Sequence, residues 1–154
     1  MLGLPTDTDL GFTICRRIDA SPETVFRIFT ELEKASERIP GIEKVELLTA
    51  GPVGLGTRFI ETRRVRGRQV RAEMEITRFE EGEGYVVRCS SRGCDFTSAF
   101  CMFPDGDATK VEVALDCEPK TWLARLRVRF LLRPMRREFD RDFTSLQAVA
   151  ETSD

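Results

Sequence analysis

The sequence contains no histidine. That removes the commonest metal ligand and the commonest acid–base group near neutral pH. Any proton chemistry must pass through carboxylates, cysteine, arginine, water or the single tyrosine, Tyr85. Lysine is scarce, occurring only at 34, 44, 110 and 120, while the other 20 of the 24 basic residues are arginine. A genome of high GC content produces that bias without selection for nucleic acid. With a formal net charge of -2, global charge names no partner.

Long apolar runs are also missing. No segment approaches the ~20 residues that span a bilayer. The nearest, Trp122 to Leu132, is short and holds Arg125, Arg127 and Arg129. The N-terminal MLGLPTDTDLGF has no basic region followed by an apolar one, so no secretory signal is expected. The cysteines at 15, 89, 94, 101 and 117 are odd in number and lack CxxC spacing. They read as reduced thiols of a cytoplasmic protein, mostly small buried hydrophobes in strand-like runs. No zinc or other metal site and no cofactor is expected.

What remains is enough for one core. The 154 residues, 41% of them hydrophobic, predict a single domain spanning 1–154, with its core over about 12–150. FTICRRID, residues 12–19, reads as a strand. Ser21 then offers an N-cap and Pro22 suits the first helical position. Val25, Phe26, Ile28, Phe29 and Leu32 follow at helical spacing. A second short helix is expected over 33–38, stopped by Pro40 and Gly41. Strand patterns then run over 42–49, 57–66, 69–79, 85–92, 95–103 and 109–117. Short turns join them, as in antiparallel hairpins. From Lys120 onward the pattern is helical, with Met135, Phe139, Asp142, Phe143, Leu146 and Val149 near one face. Pro134 is expected to kink this helix or divide it. One strand, two short helices, six strands and a long helix make an α+β chain.

GPVGLGTRF, residues 51–59, raises the question of a phosphate loop. Such a loop must open a helix, whose N-terminus supplies the amides. Here a strand follows and GK[ST] is absent, so the glycines read as a turn. In the next hairpin, a turn at Gly67-Arg68 pairs Val65 with Val70, Arg63 with Ala72, Glu61 with Met74 and Phe59 with Ile76. Alternation then puts Phe59, Glu61, Arg63, Val65, Val70, Ala72, Met74 and Ile76 on one inner face. The opposite face, with Arg58, Ile60, Thr62, Arg64, Arg66, Arg71, Glu73 and Glu75, reads as solvated. Glu61 and Arg63 are ionisable groups on an apolar face and need partners. They can pair with each other, meet another inner polar group, or line a cavity. Val87, Cys89, Val113 and Leu115 extend the inner face. Phe96, Ser98 and Phe100 belong to a strand whose two faces the pattern does not separate.

Four stretches carry a family likeness. They are IDASPETVFRIFTELEKASERIPGIEKVELL, GPVGLGTRF with the following RGR, DGDATKVEVALD, and the closing helix ending in LQAVAE. Together they resemble the START-like superfamily, described as polyketide cyclase/dehydrase and lipid-transport proteins, with the Bet v 1-like helix-grip fold. The likeness spans about 12–150, and its motifs are structural rather than catalytic. It implies a seven-stranded antiparallel sheet wrapped around a long C-terminal helix, two short helices between strands 1 and 2, and an apolar cavity between sheet and helix. It also implies a hydrophobic small-molecule ligand of lipid, polyketide or aromatic type.

The leading expectation is therefore a non-enzymatic binding protein, monomer or homodimer, without stable membrane insertion. Its ligand-binding residues are expected to be Phe59, Glu61, Arg63, Met74, Val87, Cys89, Phe96, Phe100, Val113, Leu115, Met135, Phe139 and Phe143. Arg63 could hold a carboxylate or phenolate head by charge-assisted hydrogen bonds. The alternative is a polyketide cyclase/dehydratase, with Glu61 as general base and Arg63 stabilising an enolate. A third reading rests on RVRFLLRPMRREFDR, which mixes basic and apolar residues as membrane-surface or partner-binding helices do. The favoured view of that stretch is a core helix with a solvated arginine face. Nucleic acid is not expected as a partner: Glu73 and Glu75 break the outer arginine strip, and no aromatics are interleaved.

Overall fold

The computed structural model describes Leu2 and residues 9–153. Residues 1, 3–8 and 154, which carry most of the N-terminal reading, lie outside the described residues. Helix α1, Pro22–Thr30, begins where the capping signals place it. The Ser21 hydroxyl accepts the Thr24 N–H at 3.2 Å, and Val25, Phe26, Ile28 and Phe29 are its buried side. A 3-10 turn, Leu32–Lys34, runs directly into the short helix α2, Ala35–Arg38.

Seven strands follow the sequence pattern: β1 Gly11–Ile18, β2 Ile42–Leu47, β3 Arg58–Val65, β4 Arg68–Glu80, β5 Gly84–Ser91, β6 Cys94–Asp105 and β7 Ala108–Pro119. They form one antiparallel sheet in the order β1-β7-β6-β5-β4-β3-β2. Helix α3, Trp122–Glu151, lies against its inner face, giving the helix-grip arrangement. Thr121 caps α3 by accepting the Ala124 N–H at 3.1 Å. Pro134 sits inside α3 without dividing it. Val128 on one side of Pro134 and Phe143 on the other are both buried in core clusters. That packing holds the two halves as one helix despite the missing N–H.

The β3–β4 hairpin differs from the expected register. Its turn is Arg66-Gly67, with Val65 opposite Arg68, Arg63 opposite Val70, Glu61 opposite Ala72 and Phe59 opposite Met74. Arg66 and Gly67 both have positive φ, 50° and 76°. That is the requirement of a type I′ turn, whose twist matches the strands. The pairing moves by two residues, an even number, so every side chain keeps its face. On the outer face Thr62 is buried between Lys44 and Arg71 on the flanking strands, so that face is not solvated throughout.

The register also settles β6. Phe96 pairs with Cys89, Ser98 with Val87 and Phe100 with Tyr85, so all three β6 residues face inward. A bulge between Ile76 and Arg78 leaves Thr77 over. It lets Ile76 and Phe79, three residues apart, share the inner face. Phe79 then meets Phe26 of α1 edge to face, with centroids 5.6 Å apart.

Strand β5 begins at a tight place. Gly84 has φ of 152°, and a Cβ there would stand 2.1 Å from the Phe100 carbonyl oxygen. Gly67 is different: its φ is positive, but nothing lies within 4 Å of the Cβ position. Gly84→Ala is expected to cost about 2–4 kcal/mol of stability and Gly67→Ala only about 1 kcal/mol. Urea midpoints of the two variants check this, and equal costs would contradict the close approach at Phe100.

Candidate functional site

Small side chains leave space beneath the sheet. Ala72 on β4, Ser98 on β6 and Ala35 on α2 stand among larger apolar groups around a cavity of about 290 Å³. The volume is at the lower end of the ~300–1,000 Å³ usual for ligand sites. The sheet forms its roof, α3 its floor, and α1 with α2 close one end. Most of the wall is hydrocarbon and aromatic ring. Phe29 meets Phe143 edge to face, and Phe100 stacks on Tyr85 with centroids 4.7 Å apart.

Two parts of the wall are charged: Glu31, which is paired with Arg27, Lys34 and Arg38, and a cluster centred on Arg63. Arg63 extends from the inner face of β3 to α3. Its Nε donates to Glu61 Oε1 at 2.7 Å. Nη1 donates to Glu138 Oε1 at 3.1 Å and to Asp142 Oδ1 at 3.3 Å. Nη2 donates to Asp142 Oδ2 at 2.6 Å. Glu138 and Asp142 are four residues apart, so one helical face presents both. The bidentate contact to Asp142 fixes the plane of the guanidinium.

Electrostatics separate these groups. Burial opposes the charge on Arg63, but Glu61, Asp142 and Glu138 outweigh it and raise its pKa above the ordinary value. Burial pushes the Asp142 carboxyl upward, and Glu138 and Glu61 add to that push. The Arg63 contacts pull Asp142 back without cancelling the rise. Three carboxylates around one guanidinium leave this wall net negative when all are ionised. Nearby, the buried Tyr85 donates its hydroxyl to the Phe29 carbonyl at 3.1 Å. Its pKa is raised by burial first and then by Glu61.

Of the residues expected to bind ligand, Phe59, Glu61, Arg63, Met74, Val87, Phe100, Val113, Met135, Phe139 and Phe143 line this cavity. Cys89, Phe96 and Leu115 do not line it. All three share the inward face of the sheet. Phe96 and Leu115, however, pack into a second cluster with Leu10, Cys94, Cys117 and Val128. There Val128 of α3 packs into the same cluster as the sheet residues. Burial raises the Cys89 thiol pKa, and Cys117 is pushed up to about 12 by burial and by Cys94, so both are protonated thiols at neutral pH.

The sequence reading did not place Tyr85, Glu138, Asp142 or the α1 and α2 residues at the site. Asp142 carried a usable signal. A carboxyl between Phe139 and Phe143 on an inward helix face needs a cation, and Arg63 on the inward sheet face needs an anion.

Two outcomes follow. Arg63→Ala strands three carboxylates and is expected to cost about 3 kcal/mol at neutral pH. Asp142 binds its proton at higher pH in the folded protein than in the unfolded chain, where its ordinary value is 3.8. Its contribution therefore grows as pH falls through the window above 3.8 and shrinks as pH rises. The wild-type protein should gain stability relative to Asp142→Asn between pH 7 and about pH 4. Urea titrations of both proteins at the two pH values measure this, and a constant or falling difference contradicts the assignment.

Comparison with known proteins gives a consistent frame. The family model for polyketide cyclase / dehydrase and lipid transport matches residues 11–151. No curated protein sequence matches. Among solved structures, Ara h 8.0201 superposes with a TM-score of 0.75 at 14% identity, covering 93% of this chain and 98% of its own. A START superfamily protein from Mycobacterium smegmatis gives 0.74 at 17% identity, covering 94% of this chain and 99% of that one. The Zhui aromatase/cyclase from Streptomyces sp. R1128 gives 0.73 at 14% identity, covering 92% and 93%. At these identities the structures establish a shared fold. The match over nearly the whole chain, together with the sheet gripping α3, shows that this chain belongs to the polyketide cyclase / dehydrase and lipid transport family.

Proposed function

We propose that the chain binds an uncharged hydrophobic small molecule in the cavity between the sheet and α3. One observation carries this: the cavity is walled mostly by hydrocarbon and aromatic groups, and its charged wall residues are already paired, Glu31 with Arg27, Lys34 and Arg38, and Arg63 with Glu61, Glu138 and Asp142. The guanidinium has five N–H donors, and four hydrogen bonds to carboxylates already engage it. It is a poor receptor for a carboxylate or phenolate head, contrary to the role the sequence suggested. The surrounding carboxylates repel an anion and accept hydrogen bonds from a hydroxyl or amine. A lipid alcohol, or an aromatic or polyketide skeleton with neutral hydroxyls, has the matching chemistry.

A second reading is catalysis on such a ligand, and Asp142 favours it. A carboxyl raised above its usual range at a cavity wall can exchange protons with substrate, while Arg63 holds its orientation. Glu61, paired to Arg63, is a second cavity carboxylate that could take the part of general base. Cyclisation or dehydration of a folded polyketone needs proton transfer of this kind, with the cavity limiting the chain's conformations.

The test uses two fluorescent probes of similar size, neutral N-phenyl-1-naphthylamine and anionic 1-anilinonaphthalene-8-sulfonate. The neutral probe should bind at least tenfold more tightly, and Ser98→Phe, which fills the cavity, should abolish binding while the protein stays folded. Equal affinities, or unchanged binding in Ser98→Phe, would sink the proposal. Turnover of a short linear polyketone that is lost in Asp142→Asn at unchanged probe affinity selects the catalytic reading.

A further inference from the structure

The first turns of α3 are apolar on the wrong side. At roughly 100° per residue, Trp122, Leu126 and Phe130 fall on the face opposite the buried Ala124 and Val128. Trp122 is 78% exposed and Phe130 76%, with Leu123, Leu126 and Leu131 also exposed. The sequence suggested a solvated arginine face here; the structure sets large hydrophobes in the middle of it.

The charges around this stripe are of one sign. WLARLRVRFLLRPMRR, residues 122–137, holds six arginines and no acidic residue in a chain of net charge -2. Elsewhere arginines face carboxylates, as in Arg27–Glu31, Arg58–Glu73, Arg64–Glu43 and Arg71–Glu46. Among the described residues, Arg125, Arg127, Arg129, Arg133 and Arg137 have no carboxylate partner. Arg125 and Arg129 flank the stripe on one side, Arg127 on the other, and Arg133 continues its line.

We infer that this half of α3 is a docking face for an anionic lipid surface. An exposed tryptophan and phenylalanine flanked by unpaired arginines suit the boundary between headgroups and acyl chains. There the rings enter the apolar layer, aliphatic stems follow, and guanidinium groups stay with phosphates. Electrostatic attraction to anionic lipid adds to apolar burial, and neither alone is strong. A complementary protein face would need its own acidic ring. A second copy of this chain presents the same arginines and meets them with like charge. The helix lies on the bilayer and does not cross it: among the described residues no helix is long and apolar enough to span.

The experiment mixes the full chain with phosphatidylcholine vesicles, with or without 30% phosphatidylglycerol as the probe. Trp122 is the sole tryptophan, so its emission reports on this face directly. Binding to the anionic vesicles with a blue shift is expected. It should be at least tenfold weaker on neutral vesicles and should weaken further as salt rises from 0.05 to 0.5 M. Arg125→Gln with Arg129→Gln and Arg133→Gln should lose roughly tenfold or more. Phe130→Ser should lose the partitioning while leaving the thermal midpoint in place. If it lowers the midpoint, Leu126→Ser provides the same reading. Absence of binding at low salt overturns the inference, as does equal, salt-independent binding to both vesicle types. A concentration-dependent dimer that Phe130→Ser dissolves, without vesicle binding, overturns it in favour of a second copy.

Discussion

The tie between Arg63 and the carboxylates of α3 holds the sheet and the helix at their working separation. Hydrophobic burial alone has no reason to stop short of full collapse, because it rewards every square ångström removed from water. A guanidinium fixed between Glu61 on the sheet and Glu138 and Asp142 on the helix has a definite length and orientation. Small residues beside it then leave a cavity instead of a closed core. Away from that tie, under the first turns of α3, Val128 packs with Leu115 and Cys117 in one core cluster.

The same tie governs what the cavity can do. In a chain without histidine, proton exchange falls to other groups, and the site contains a carboxyl, Asp142, that burial raises above its ordinary value beside a permanent cation. The arginine is occupied by protein carboxylates, and the proposed neutral ligand follows from that occupancy. Membership of the family and a fold shared at 14–17% identity leave the chemistry to the residues of the wall.

Much of the architecture was legible because the signals that encode it are redundant. Ser21 and Pro22 mark one helix start in two independent ways. In the β3–β4 hairpin, placing the turn one residue late shifted every pair by two and changed no face, because strand periodicity is itself two. Less legible were matters of depth. Cys89 and Leu115 face inward as alternation requires, and the register turns Phe96 inward with them, yet whether inward means cavity or packed core depends on which part of α3 lies opposite. The helical pattern of 122–132 likewise gives periodicity without saying which stripe meets the sheet. Trp122, Leu126 and Phe130 look like core until Ala124 and Val128 are found to occupy that place. Asp142 was visible on an apolar face, but its partner lies 79 positions away along the chain.

The sheet order has a consequence for how the protein is made. Among the described residues strand β1, residues 11–18, pairs only with β7, residues 108–119, and α3 follows both in chain order. During synthesis the first strand leaves the ribosome about a hundred residues before its partner exists, and the inner row of phenylalanines waits longer still for the helix that covers it. At roughly 5–20 residues per second, that interval is several seconds long. For that time the nascent chain carries an unpaired edge and an uncovered apolar face, the kind of surface a general chaperone recognises. Completion of the fold is in this sense an event that waits for α3: emergence of that helix both closes the sheet's inner face and creates the cavity.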